Sequence, residues 1–404
     1  MEATPVFAGI DWSWQRHAVC VVDENGDRIE EFSVAHSRPG LAKITTVLGR
    51  LGAVGVAIER GDGPVVEHLL RTGFEVVVIS ARQVKSLRAQ YTASGAKDDR
   101  FDAFVLADAL RTDAGRWHPV RPDSPETVAL RMKVRARQDL VGHRIAVHNQ
   151  LLAVLQHNFP GAIGLFSQLD IPISLVFLRR FPTQAKAAWL SERRMAHWLE
   201  ANGYCGRNTP HQLIEHLTRA ADGRQTGPAA DASEHIVLTL VALLHQLRVQ
   251  IAELETSIRE ALLAHPNGPI LTSLPRAGTI RAASLLAEIG DCRARFPDDT
   301  ALAAAAGVAP CTRQSGKYLN VGYRRGCNKN LRAALIDWAQ DTPRANAWAH
   351  NTYRQARDRG CRHPHAARIL ARAWTRVLWR CWHDRTTYDP TQHGQLTKLE
   401  KTAA

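Results

Sequence analysis

The rhythm of apolar and polar positions changes twice along the chain. Up to about residue 115, apolar residues come in short, β-branched runs. Residues 7–11, 17–22, 28–34, 54–58 and 75–79 read as strands. Asn25-Gly26 lies between the second and third of them, and both residues tolerate positive φ, so a hairpin is expected there. Residues 64–71 and 98–111 carry helical spacing, the latter through Phe101, Val105, Leu106 and Leu110. Strand, hairpin, strand, helix, strand, helix is the order of an RNase H-like sheet.

From about 125 to 265 the strand signals stop. Residues 128–155 place apolar side chains at helical intervals. In 233–263, Ile236, Leu240, Leu243, Leu247, Ile251, Leu254 and Ile258 recur every three or four residues, close to a coiled-coil seam. The alternative is an amphipathic helix packed within its own chain. Gly223, Gly227 and Pro228 mark a loop before it. Beyond 270 the pattern is of short helices punctuated by Gly and Pro, and the chain from 387 onward is polar and expected to fray.

Composition then narrows the function. Lys plus Arg number 52 against 39 Asp plus Glu in 404 residues, a formal charge of +13. That excess points to a polyanionic partner. At 45% hydrophobic residues the chain can bury a core, which excludes a disordered basic protein. Asp11 and Arg16 interrupt any signal-peptide core, no apolar run approaches a membrane span, and seven cysteines without framework spacing suggest reduced thiols in a cytoplasm.

Candidate chemistry falls in two places. Asp11 and Glu59 end predicted strands, and Asp99 and Asp102 sit three apart at a helix start, so both face one way. Four carboxylates on one sheet edge would repel, and hard divalent cations relieve such repulsion. The bland alternatives are helix capping for the aspartates, with Asp98 a rival for Asp99, and a solvent-facing Glu59. In the third part, Ser315 lies beside Gly316 and Lys317 in a predicted loop. Arg324, Arg325, Lys329 and Arg332 follow, with no acid between Arg313 and Arg332. A serine becomes a nucleophile toward a phosphodiester when cations polarise the phosphorus. The alternatives are a Ser-Gly turn and a solvated basic face. Leu274 to Gly278 resembles the hairpin of a helix-hairpin-helix, but Arg276 stands at a position often held by Gly. Cys361, His363, His365, Cys381 and His383 fit zinc-ligand spacing poorly. Trp374, Trp379 and Trp382 read as helix-packing residues.

Taken in order, Gly9-Ile10-Asp11, Ala57-Ile58-Glu59 and Lys97-Asp98-Asp99-Arg100-Phe101-Asp102-Ala103 resemble the motifs of DEDD transposases of insertion-sequence family one-hundred-and-ten. The resemblance continues through Glu288-Ile289-Gly290-Asp291, Gly307-Val308-Ala309-Pro310, Gln314-Ser315-Gly316-Lys317 and Arg325-Gly326-Cys327-Asn328-Lys329-Asn330-Leu331-Arg332. It implies an α/β plus all-α fold. An RNase H-like (RuvC-like) domain would span 6–120, a helical coiled-coil linker 121–265, a mostly helical transposase domain 266–385 and a flexible tail 386–404. It assigns Mg²⁺ binding to Asp11, Glu59, Asp99 and Asp102, and a transient phosphoserine link with DNA to Ser315. It implies double-stranded DNA as partner, an element-encoded guide RNA, a homo-oligomer with a composite site, and a cytoplasmic, nucleoid-associated protein. The residue chemistry by itself also admits a RuvC-like nuclease that uses water, or a non-catalytic nucleic-acid-binding relative.

Overall fold

The computed structural model describes residues 5–91, 98–223, 227–316 and 318–396. The chain separates into two units, Met1–Pro122 and Asp123–Ala404.

In the first unit, β1 (Val6–Trp12), β2 (Arg16–Val22) and β3 (Arg28–Ala35) form an antiparallel meander, with α1 (Arg38–Leu51) after it. Then come β4 (Ala53–Ile58), α2 (Pro64–Arg71), β5 (Val76–Val78), α3 (Ala81–Tyr91) and α4 (Asp99–Thr112). The sheet order is β3-β2-β1-β4-β5, with β4 parallel to β1 and β5 parallel to β4. Helices α1 and α3 go beyond the elements expected from spacing. The signal for α1 was present, since Ser37 caps its start and Gly52 ends it in the left-handed region at φ 69.

Period-two alternation sorts the strands between the two faces of this sheet. Val6, Ala8 and Ile10 of β1, with Val56 and Ile58 of β4, pack against α1 and α2. The intervening residues meet α4: Ala57 packs with Leu106 and Val105. At Gly9 the helix comes so close that a Cβ would stand 2.0 Å from the Ala103 carbonyl oxygen. Only glycine admits that approach.

The second unit opens with α5 (Pro125–Asn158) and continues through α6 (Pro172–Arg180), α7 (Gln184–Ala187), α8 (Glu192–Ala201), α9 (Pro210–Arg219) and α10 (Pro228–Ala264). After these come α11 (Gly268–Thr272), α12 (Gly278–Ile289) and α13 (Asp299–Ala305). A two-stranded ribbon, β6 (Pro310–Ser315) and β7 (Tyr318–Tyr323), precedes α14 (Lys329–Asp341), α15 (Ala347–Asp358) and α16 (His363–Asp384). Helices α5 and α10 run antiparallel. Leu130 and Val134 share a core with Ile258 and Leu262, while Val147 and Leu151 share another with Val237 and Leu244.

The in-chain alternative for the α10 seam is therefore the observed one, and the expected seam packs in its second half and only in part in its first. Ile251 and Ile258 of the seam are buried and Leu240 and Leu247 partly so, whereas Ile236 and Leu243 are exposed and Val237, Val241 and Leu244 are buried beside them. A straight helix drifts against a near-heptad register, so the stripe that meets a partner need not be the most regular one in sequence. Helix α10 is also long and apolar enough, by length and composition, to cross a membrane, because many of its polar residues are uncharged. Here its apolar side chains contribute to both cores that it shares with α5.

Trp338, Trp374 and Trp382 are wholly buried in the C-terminal core. Part of the segment expected to fray packs on that core instead. Leu396 is buried, and Trp348 donates to Gln395 Oε1 at 2.6 Å. Residues 397–404 lie outside the described residues.

Candidate acidic edge and serine ribbon

Strand register brings the acids of the first unit to one edge. Ile10 pairs with Ile58 in the parallel β1–β4 ladder, so Asp11 and Glu59 take the next step side by side. Each lies two residues beyond a position facing α4, Gly9 and Ala57, so both belong to that face. Helix α4 runs against these strands: a Cβ added to Gly55, at the beginning of β4, would meet Leu110 Cδ2, near the end of α4, at 3.4 Å. Its first turn, with Asp99 and Asp102, therefore lies toward the ends of β1 and β4 that carry Asp11 and Glu59.

The aspartates of this turn have different tasks. Asp98 is the N-cap, and its side chain accepts from Arg100 N. Asp99 is exposed on the first helical turn. Asp102 is 2% exposed, and Arg88 Nη2 of α3 stands 2.6 Å from each of its carboxylate oxygens. Sequence spacing did not find Arg88, because the pairing of α3 with α4 is a tertiary contact. Below this pair, Tyr91 donates to Asp108, which Arg111 also holds at 2.8 Å.

The donors are hard oxygens, as a divalent cation of the Mg²⁺ type requires. In this arrangement they are not yet gathered: among the described residues no group of three His, Cys, Asp or Glu is close enough to hold an ion.

Ser315 was expected in a loop and instead ends a strand. It pairs with Tyr318 across a turn containing Gly316 at φ 54, a left-handed conformation that suits glycine. The period-two pattern was hard to read because β6 is exposed on both faces and therefore lacks alternation. Cross-strand partners share a face, so Ser315 and Tyr318 lie with Arg313, Asn320 and Cys311. A concavity of about 250 Å³ on the ribbon is lined by Cys311, Arg313, Asn320, Gly322, Tyr323 and Arg325. Leu319 and Val321 belong to the opposite face and are 62% and 58% exposed.

The ribbon is held at its base. Arg368 of α16 lies 4.4 Å from the Tyr323 ring centroid, and His365 meets the same ring edge-on. Glu288 anchors the chain that follows. Arg135 Nε and Nη2 bond its two oxygens at 2.8 and 2.9 Å, and Asn328 Nδ2 donates to Oε2 at 2.9 Å. Burial pushes the Glu288 carboxyl up, but these donors outweigh it and hold the group below its ordinary value. Asn328 also caps α14 through Oδ1. The Glu288 and Asn328 motifs thus form one anchor.

The basic residues divide. Arg324, Arg325 and Lys329 are exposed. Arg332 is half-buried, and its guanidinium donates to the carbonyls of Arg324 and Ala306. Lys317 lies outside the described residues. Arg276 adopts φ 60, which explains why glycine suits that position, and it pairs with Asp341 at 3.0 Å. Arg281 and Arg344 hold the same carboxylate.

Residues 8–160 match a family model described as a transposase of the DEDD, IS110 type, and residues 268–354 match that of the IS116/IS110/IS902 transposase family. The mini-circle candidate transposase for IS117 of Streptomyces coelicolor is 32% identical over 398 residues, 96% of each chain. The chain belongs to the IS110 family of DEDD transposases. An uncharacterized protein of insertion element IS110 from Streptomyces coelicolor is 28% identical to the transposase over 96% of each chain. The transposase for insertion sequence element IS1328 of Yersinia enterocolitica is 23% identical over 70% of each. Membership makes the transposase a DNA-rearranging enzyme of an insertion sequence, with DNA as its partner. Divalent-metal dependence goes with the DEDD family.

Proposed function

We propose that the transposase breaks and rejoins DNA through a serine ester, with Mg²⁺ held by Asp11, Glu59, Asp99 and Asp102 of an RNase H-like, RuvC-like first unit. The placement of Asp11 and Glu59 at the ends of adjacent parallel strands, with Asp99 and Asp102 on the helix turn toward those ends, carries this reading. The strand order β3-β2-β1-β4-β5, antiparallel then parallel, supports the fold assignment. When bound, the ion supplies Lewis-acid polarisation of phosphoryl oxygens.

Ser315 is the nucleophile in this reading. Its Oγ forms a bond to phosphorus while the bond from phosphorus to the leaving deoxyribose oxygen breaks. The serine proton passes to solvent, and the leaving oxygen takes up a proton. The ester conserves the phosphodiester bond, so a deoxyribose hydroxyl can reverse the exchange and release Ser315. Exposure at the end of β6 suits such an attack. Arg324, Arg325, Lys329 and Lys317 hold phosphates, and Arg332 supports them through the Arg324 carbonyl.

The reading extends to an element-encoded guide RNA, a homo-oligomer, and action in the cytoplasm at the nucleoid. The +13 charge supports a second polyanion, and exposed Ile236, Leu243 and Leu263 on α10 support self-association.

The test is a trapping gel. Full-length protein, with co-purifying RNA retained, is incubated with Mg²⁺ and DNA carrying the element junction, then denatured. A DNA–protein adduct is expected with wild type and is lost in Ser315→Ala and Asp102→Ala. Cleaved DNA without an adduct, unchanged by Ser315→Ala, would mean water attack and a RuvC-like nuclease.

A further inference from the structure

We propose that Arg88 is an internal stand-in for the divalent cation at Asp102, and that α3 must release it before the acidic edge can load. The inference rests on the metal-binding reading of the acids.

Three observations meet here. First, one guanidinium nitrogen stands 2.6 Å from both Asp102 oxygens, bridging the carboxylate as a cation would. Asp102 is 2% exposed, so its charge requires such a partner in the interior. Second, the guanidinium is poorly satisfied elsewhere: Arg88 Nε is buried with no hydrogen-bond partner among the described residues. Its hold therefore depends on the one carboxylate, and breaking it frees few other bonds. Third, α3 is lightly anchored. Val84 is its one fully buried residue among those described, joined by partly buried Leu87 and by Tyr91, whose hydroxyl bonds Asp108 and whose ring meets Phe101 and Phe104 edge-on.

The electrostatics make the two occupants exclusive. A guanidinium neutralises one carboxylate, whereas a divalent ion can be shared among several. A guanidinium left against Asp102 would repel an ion bound there. Release of Arg88 and gathering of the acids around an ion are therefore one coupled event. The pairing also gives buried Asp102 a cationic neighbour while the acids are not gathered.

The experiment titrates full-length protein with Mn²⁺ alone and follows free Mn²⁺ by electron paramagnetic resonance. Wild type, Arg88→Gln, Arg88→Lys and Asp11→Asn are compared, with circular dichroism to verify folding. Removing the competing charge should tighten Mn²⁺ binding about ten-fold in Arg88→Gln, within the ordinary range of coupling between two linked binding events. Arg88→Lys keeps the charge and should remain near wild type. Unchanged or weaker binding by folded Arg88→Gln overturns the inference. If that variant fails to fold, amide exchange of wild type decides. Mn²⁺ should speed exchange across Ala81–Tyr91, and unchanged or slower exchange there overturns the inference. The parent reading fails separately. It falls if neither wild type nor Arg88→Gln binds Mn²⁺, or if Asp11→Asn binds as well as wild type. Binding lost in Asp11→Asn but unaffected by Arg88→Gln removes only the role of Arg88.

Discussion

The acidic edge and the serine ribbon place polar residues by opposite means. The acids stand on strands and a helix packed to backbone contact, where Gly9 leaves no room for a methyl group. Ser315 stands on two strands exposed along most of their length, held mainly at the base. A two-stranded ribbon has little stability of its own in water. Its position is therefore borrowed from Tyr323, Glu288 and Asn328. Precision at the edge comes from close packing, while reach at the ribbon comes from leaving packing out.

The anchor beneath the ribbon offers the strongest challenge to this contrast. Glu288→Ala removes the charge-assisted bonds to Arg135, which is 44% exposed, and strands the Asn328 amide, and should cost about 3 kcal/mol. Chemical denaturation measures it, and a loss below about 1 kcal/mol would mean that the ribbon does not depend on its base. Glycine substitutions sharpen the comparison next. Gly9→Ala drives a methyl group into the Ala103 carbonyl and should cost about 3 kcal/mol.

Acid should weaken the first unit. His17 is buried and bonded to His36 at 2.9 Å. Burial, with help from His36, pulls its pKa from 6.5 to about 4. The unfolded chain therefore binds the proton first. The contribution is complete above pH 6.5 and is lost as the pH falls toward 4, by roughly 3 kcal/mol at most. Denaturation of wild type and His17→Gln between those values should show the steeper loss in wild type. The smallest effect belongs to the ribbon. Gly322 has nothing within 4 Å of an added Cβ, so Gly322→Ala should change stability by less than about 0.5 kcal/mol. A cost equal to that of Gly9→Ala would erase the contrast.

The legibility of the two regions differed for the same reason. β1, β4, α2 and α4 were readable because burial on one or both faces writes a period into sequence. The span expected for α2, 64–71, is the observed Pro64–Arg71. The ribbon has no buried face, so it carried no period and passed for a loop. In α10 the apolar ladder packed through Ile251 and Ile258 but gave way to Val237, Val241 and Leu244 near its start, because several apolar stripes compete on a helix of 37 residues.

Local chemistry along the chain was enough to specify which residues could act: acids at strand ends and a helix start, and a serine beside glycine among cations. It also specified most elements of the first sheet, since propensity, turn residues and periodicity act between near neighbours. Contacts between residues far apart were decided only by folding. The tertiary structure aligned Asp11 with Glu59 by register, gave Asp102 to Arg88, and spent Arg332 on two carbonyls. It also joined Glu288 to Arg135 and Asn328, 153 and 40 residues away. A charged side chain carries the same sequence signal whether it will meet solvent, a ligand or another part of the chain, and packing selects among them.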